Sequence, residues 1–402
     1  MWGVIAFGLV LSVASGCKIA ILEIENLPGA ASCNSDQRFE GHMHLQHAQQ
    51  YWINRAIKNS KYYTDDLEQA DAVVVDDYCP LLCCLVLHCW YQENQTHTDG
   101  YNPKTEIASA YSKLMQLPRF KRLNGADFVF HSPFPLVTAG LHTCETLQQS
   151  MHIIVEIGQR NHRSGCLKIP KMKQLIVPYS STSFEFDIWP ERNISVFFLG
   201  TCDVGSAGMR IRRHLITTLH SKDLPSDTYL QCIDKHNWMD HDKLKDTLKR
   251  SVFCLVLPGD TASSRRLTEV ILAGCIPVFV GPPWHTLPWS SLIDYTRFSI
   301  FVHTDKLMMH GEDTPRKNSI LDVNWWTVAN YTAKYFHRIN NLTELIPLLQ
   351  SVSSEELIEL QKHGARVKSY FMYTNASAVV HSLYPTASDL VTEAICDLYA
   401  PH

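Results

Sequence analysis

The strongest constraint on the fold is a pair of apolar runs with one helix's length of chain between them. Val252-Phe253-Cys254-Leu255-Val256-Leu257 ends at Pro258-Gly259, and Ile276–Val280 ends at Gly281-Pro282-Pro283-Trp284. Runs this short and this uniformly apolar predict strands buried on both faces, as in parallel sheets. Between them, residues 259–263 read as a loop, and Ser263 or Ser264 can cap a helix. Leu267, Val270 and Ile271 give that helix an inward face, and Gly274 stops it. Strand, loop, helix, strand is the parallel βαβ unit.

The start of that helix has the chemistry of an anion site. Its first N–H groups point outward without intrahelical partners. Arg265 and Arg266 add fixed charge, and a guanidinium can hold a phosphate through two parallel hydrogen bonds. Glu269 lies one turn along from Arg266, on the same side, where a carboxylate can accept from the paired hydroxyls of a ribose. The alternative is a surface helix carrying an i, i+3 Arg–Glu pair.

The longer stretch, residues 251–294, resembles the exostosin family of glycosyltransferases, family 47. That family runs S-x-F-C-L, a Pro/Gly-rich loop, S-x-R-x-x-E-A-[IV]-x-x-G-C-[IV]-P-V and then W-x-x-P-[FW]. The matching pieces are Ser251-Val252-Phe253-Cys254-Leu255, Ser264-Arg265-Arg266-Leu267-Thr268-Glu269, Gly274-Cys275-Ile276-Pro277-Val278 and Trp284-His285-Thr286-Leu287-Pro288-Trp289. Earlier in the chain, Ser60, Thr64, Asp66, Ala70, Asp71, Val75 and Tyr78 fall in register with another family segment, with Leu67 and Asp76 where the family has prolines. Gly125, Asp127, Phe128 and His131 match a third, although Phe128 stands where the family places a histidine after the aspartate. Residues 193–200 predict the first strand of a second domain. Gly200, Gly208, Ile211, Arg212 and Leu215 there align with F-F-x-G…G-x-I-R-x-x-L, while Leu199, Thr201, Cys202 and Asp203 occupy positions that are basic in many members.

The resemblance implies an α/β fold of GT-B architecture, with two Rossmann-like domains facing across a cleft. It implies a domain order of signal peptide or signal anchor (1–17), acceptor-side domain (18–190) and nucleotide-sugar-binding domain (191–402), whose last helix, 388–398, packs back. It also implies an inverting sugar transfer from a nucleotide sugar, with a UDP-sugar as the expected donor, to a glycan acceptor. Gly200, Arg210, Arg212, Ser264, Arg265, Arg266 and Glu269 are then the donor-binding candidates. Asp127, with His131 second, is the candidate base. The alternative within the same family is an inactive partner subunit of a transferase complex, favoured by the substitutions around residues 199–203 and by Phe128.

Other features bound the partners. Net charge is −4 with dispersed Lys and Arg, which gives no basic footprint for nucleic acid. Asp240-His241-Asp242 has the Asp-x-Asp spacing of a metal site but opens an amphipathic helix, where carboxylates cap. No metal is therefore expected, and the arginines and helix starts stand in for one. The apolar stretch 2–13 followed by Ala14-Ser15-Gly16 reads as a signal sequence, too short to span a bilayer comfortably. Sequons at Asn94, Asn193, Asn330, Asn341 and Asn375 and thirteen cysteines agree with a secretory route through the Golgi or endoplasmic reticulum. Cys254 and Cys275, inside apolar strands, read as buried free thiols. The histidines at 42, 44, 47 and 88 and the cysteines at 79, 83, 84 and 89 do not have the spacing of a metal set. A membrane contact is expected only through the N-terminus, and a homo- or hetero-dimer is admitted.

Overall fold

A computed structural model describes residues 16–23, 48–76, 111–132, 149–155, 173–181, 191–202, 207–234, 239–259, 263–281, 287–307, 334–373 and 385–400. The strands are β1 (Ile19–Glu23), β2 (Ala72–Asp76), β3 (Phe128–Ser132), β4 (Met151–Ile154), β5 (Gln174–Ile176), β6 (Ile194–Thr201), β7 (Thr228–Ile233), β8 (Ser251–Val256), β9 (Ile276–Val280), β10 (Ile300–His303) and β11 (Phe336–Arg338). The helices are α1 (Gln49–Lys58), α2 (Pro118–Leu123), α3 (Ala207–His220), α4 (His241–Lys249), α5 (Arg265–Ala273), α6 (Leu345–Gln350), α7 (Ser354–Val367) and α8 (Ala387–Tyr399). The chain forms two compact units. One holds the described residues from 16 to 181 with those from 373 to 400, and the other those from 191 to 372.

In the first unit the described strands form a parallel sheet in the order β1-β2-β3-β4-β5. Val73, Val74 and Val75 are buried, as the apolar run requires of a strand covered on both faces. The helix at the chain's end, α8, packs on α1 and β2, and a disulfide joins Cys396 to Cys17 ahead of β1. Residues 385–400, whose helix the sequence reading has packing back from the 191–402 domain, therefore sit in the first unit. Residues 67–69 form a turn rather than a helix. Asp66 Oδ1 accepts from Glu68 N and Gln69 N at 2.9 and 3.3 Å, closing a single turn before β2 begins. So few residues cannot repay helix nucleation.

In the second unit the parallel order is β11-β10-β9-β8-β6-β7. The βαβ unit read from residues 251–280 is present as β8, α5 and β9. Ser264 Oγ caps α5 by accepting from Arg266 N at 3.3 Å, and Gly274 ends it in the left-handed region at φ 69°. Asp240 caps α4, accepting from Asp242 N at 3.0 Å and Lys243 N at 3.2 Å. Arg192, just ahead of β6, donates to Ser251 O and to Gly274 O (2.8 Å), tying the start of β8 to the end of α5. Burial pushes its guanidinium down to about 10.

Cys254 and Cys275 are not free thiols: they are joined in a disulfide, as are Cys202 and Cys232. The turn at Gly274 returns the chain so that Cys275 arrives just before β9, beside the partner strand β8. Burial alone does not distinguish a thiol from half of a disulfide. After β9, Trp289 holds φ 57°, unusual for a bulky residue. Its indole N–H donates to Tyr370 O at 2.7 Å, and its carbonyl accepts from Leu292 N and Ile293 N. The signal sequence, the histidines at 42, 44, 47 and 88, the cysteines at 79–89 and three sequons lie outside the described residues. Asn193 and Asn341 are exposed. Among the described residues no helix is long and apolar enough to cross a membrane.

Candidate functional site

The strand order of the second unit reverses between β6 and β8: β7 follows β6 on one side, while β8, β9, β10 and β11 extend on the other. In open parallel sheets, ligands bind outside the carboxyl ends of the strands at such a reversal. The donor-binding candidates converge there.

Arg212, facing inward from α3, donates from Nη1 to Thr201 O at 3.1 Å and from Nη2 to Leu257 O at 3.3 Å. It thus spans the ends of β6 and β8, with its guanidinium carbon 5.9 Å from the centre of the Phe198 ring. Gly200 admits this approach, since a Cβ there would lie 3.3 Å from Arg212 Nη1. Arg213, the next residue, donates from Nε to Cys202 O at 2.9 Å. Arg210 is half-buried on the first turn of the same helix. Gly208 lies against the loop after β8: a Cβ on it would overlap the Gly259 carbonyl oxygen.

From α5, Arg266 Nη2 donates to Leu199 O on β6 at 3.0 Å, and Nη1 lies 2.7 Å from Glu269 Oε2. Arg265 Nε lies 2.9 Å from Glu269 Oε1. The Arg–Glu pair is therefore neither on the surface nor limited to the i, i+3 spacing. Glu269 is 2% exposed and flanked by two arginines. Burial holds the Arg266 guanidinium below the usual arginine range, Glu269 pulls it up, and Arg265 pushes it down. The contacts are close without being fully aligned, because Glu269 Oε1 and Arg266 Nη1 each lack a hydrogen bond of good geometry. Ser264 Oγ, the other candidate here, is engaged as the helix cap.

Three guanidinium groups and one carboxylate at a sheet's reversal point leave excess positive charge beside two helix starts, an arrangement suited to an anion. Among the described residues no group of three or more His, Cys, Asp or Glu side chains could hold a metal ion.

The candidate bases belong to the first unit. Asp127 is 6% exposed, and its Oδ2 accepts from Arg119 Nε at 2.6 Å. The same guanidinium donates to Leu67 O and, at 2.5 Å, to Ala70 O. Asp127 therefore completes a buried clamp between α2 and the turn ahead of β2. Nothing in the sequence announced Arg119, which follows Pro118 at the start of a short helix. His131 is buried on β3, opposite Ile153 of β4.

The probable arabinosyltransferase ARAD1 of Arabidopsis thaliana is 26% identical over 275 residues, 67% of this chain and 51% of that protein. Exostosin-1a of Danio rerio is 31% identical over 102 residues, 25% of this chain and 14% of its own. The probable xyloglucan galactosyltransferase GT12 of Arabidopsis thaliana is 36% identical over 67 residues, 16% of this chain and 13% of its own. The chain thus spans about half the length of the first of these relatives and much less of the other two. A model of the Exostosin GT47 domain matches residues 23–312, which cover most of both sheets and every candidate residue above; the chain belongs to the exostosin GT47 family.

Proposed function

We propose that this chain is an inverting glycosyltransferase of GT-B architecture that moves a sugar from a nucleotide sugar, a UDP-sugar by preference, to a glycan acceptor. The observation that carries the reading is the cluster of Arg212, Arg265, Arg266 and Glu269 at the reversal between β6 and β8. Inversion takes one displacement. A base withdraws the proton of the acceptor hydroxyl while the sugar–diphosphate bond breaks, and fixed cationic groups stabilise the departing diphosphate. Arginines and the α5 start supply that charge in this reading, and Glu269 accepts from the ribose. The disulfides Cys17–Cys396, Cys202–Cys232 and Cys254–Cys275 favour an oxidising compartment, which fits a secretory enzyme.

The base is assigned away from Asp127. A general base faces the proton it removes, whereas Asp127 faces Arg119. His131 is then the remaining candidate from the sequence. The same observation favours a second reading, an inactive partner subunit that binds nucleotide sugar without turnover. Incubating the purified protein with a panel of nucleotide sugars and glycan acceptors separates the two. Release of free nucleotide diphosphate supports the transferase; tight donor binding with no release supports the partner subunit; neither binding nor release sinks both. Asp127→Asn adds a second check. It leaves Arg119 buried without its counter-ion, so it is expected to cost about 3 kcal/mol of stability. Turnover per folded molecule is expected to hold, and a drop of a hundredfold or more would return Asp127 to the base role.

A further inference from the structure

Resting on the nucleotide-sugar reading of this site, we infer that Arg266 is a positioning residue that holds Glu269 ready for the ribose, and that Arg265 is the arginine that meets the diphosphate.

Geometry divides the two neighbours. Arg266 is anchored on both sides, with Nη2 on Leu199 O at 3.0 Å and Nη1 2.7 Å from Glu269 Oε2. Its side chain is 14% exposed, against 28% for Arg265. Arg265 touches Glu269 through Nε alone, and neither of its terminal nitrogens has a partner among the described residues. A phosphate is gripped by a pair of guanidinium N–H groups presented along one edge. Arg265 has such an edge to offer, and Arg266 has turned its terminal nitrogens to the sheet and the carboxylate.

Glu269 explains why Arg266 is held this way. A carboxylate with 3% of its side chain exposed requires a counter-charge, and one that receives a ligand also requires a fixed orientation. Leu199 O fixes Arg266, and Arg266 fixes Glu269 Oε2. Oε1, buried and 2.9 Å from Arg265 Nε but without an aligned hydrogen bond, is the oxygen assigned to the ribose. The chain of contacts runs from a strand carbonyl through a guanidinium to the carboxylate. It sets Glu269 before any ligand arrives.

The test compares UDP with 2′,3′-dideoxy-UDP by calorimetry, because the ratio of the two affinities reads the ribose contact alone. The wild-type protein is expected to prefer UDP by about tenfold or more, the worth of a hydrogen bond to a charged group. Glu269→Gln should bring the ratio to within about threefold. Arg266→Lys should collapse it equally while leaving the affinity for the dideoxy nucleotide within about threefold of wild type. Arg265→Ala should weaken both nucleotides by a similar factor and keep the ratio. Arg266→Gln, which retains a planar donor, is the second variant if the lysine form does not fold, and it too should lose the ratio. A preserved ratio in Arg266→Lys or Arg266→Gln with both nucleotides weakened overturns the inference, since Arg266 would then sit on the diphosphate. A wild-type protein that binds UDP no better than the dideoxy form overturns the placement of ribose on Glu269, and the inference falls with it. A wild-type protein that binds neither overturns the nucleotide-sugar reading itself.

Discussion

Gly208 has no room for a methyl group. Its Cα lies so close to the loop after β8 that a Cβ would overlap a backbone carbonyl, which cannot swing away as a side chain could. Gly208→Ala is therefore expected to lower stability by about 2 kcal/mol or more, measured by denaturant titration, and to weaken nucleotide binding with it. A variant as stable as wild type would show that the α3 start and the 257–259 loop are not packed as described. In the sequence this glycine is only a family-aligned position, and its close approach is visible only with the loop beside it. The Arg266–Glu269 pair was legible from spacing. That Arg265 joins it and that Leu199 O anchors it were not, because those contacts depend on which strand lies next to α5. Asp127 was legible as a family position, but its ion pair was not, since its partner Arg119 comes from a helix with no sequence signal.

Elements with one strong period were the most readable. β8, α5 and β9 formed within a residue or two of the expected limits, because two buried strands, a cap and a stop glycine all specify the same unit. The turn at residues 67–69 is less readable, because capping residues such as Asp66 favour both a turn and a helix start. Helix α8 carries a titration with a definite sign. The Glu393 carboxyl is raised above its ordinary value, first by burial and then by Asp389 and Asp397, while Lys61 lowers it. A raised folded value means that the folded state holds this proton more tightly. The associated stability is fully present below the ordinary carboxylate range and is lost as pH rises through the folded value. Glu393→Gln should therefore melt about 1–3 °C above wild type at pH 7 and close to it at pH 4. Equal melting points at pH 7 would mean that Glu393 is as well solvated folded as unfolded.

For the molecule as a whole, the sequence specified two parallel α/β units and a last helix that packs back, but not the disulfide that ties that helix down. The return of residues 385–400 to the first unit rests on a disulfide whose halves are 379 residues apart and on the packing of α8 against α1. No local pattern encodes that pairing of cysteines. The site is different: its residues come from segments spread between 199 and 269, yet all belong to one unit, and the strand order alone indicates where they meet. The central claim is that this cationic cluster grasps the diphosphate of an activated sugar. Titrating UDP into the wild-type protein and into Arg265→Ala, whose half-exposed side chain can be removed without opening the core, tests it most directly. The expected result is saturable binding by the wild type and affinity about tenfold to a hundredfold weaker in the variant. Equal affinity in the two proteins would contradict it.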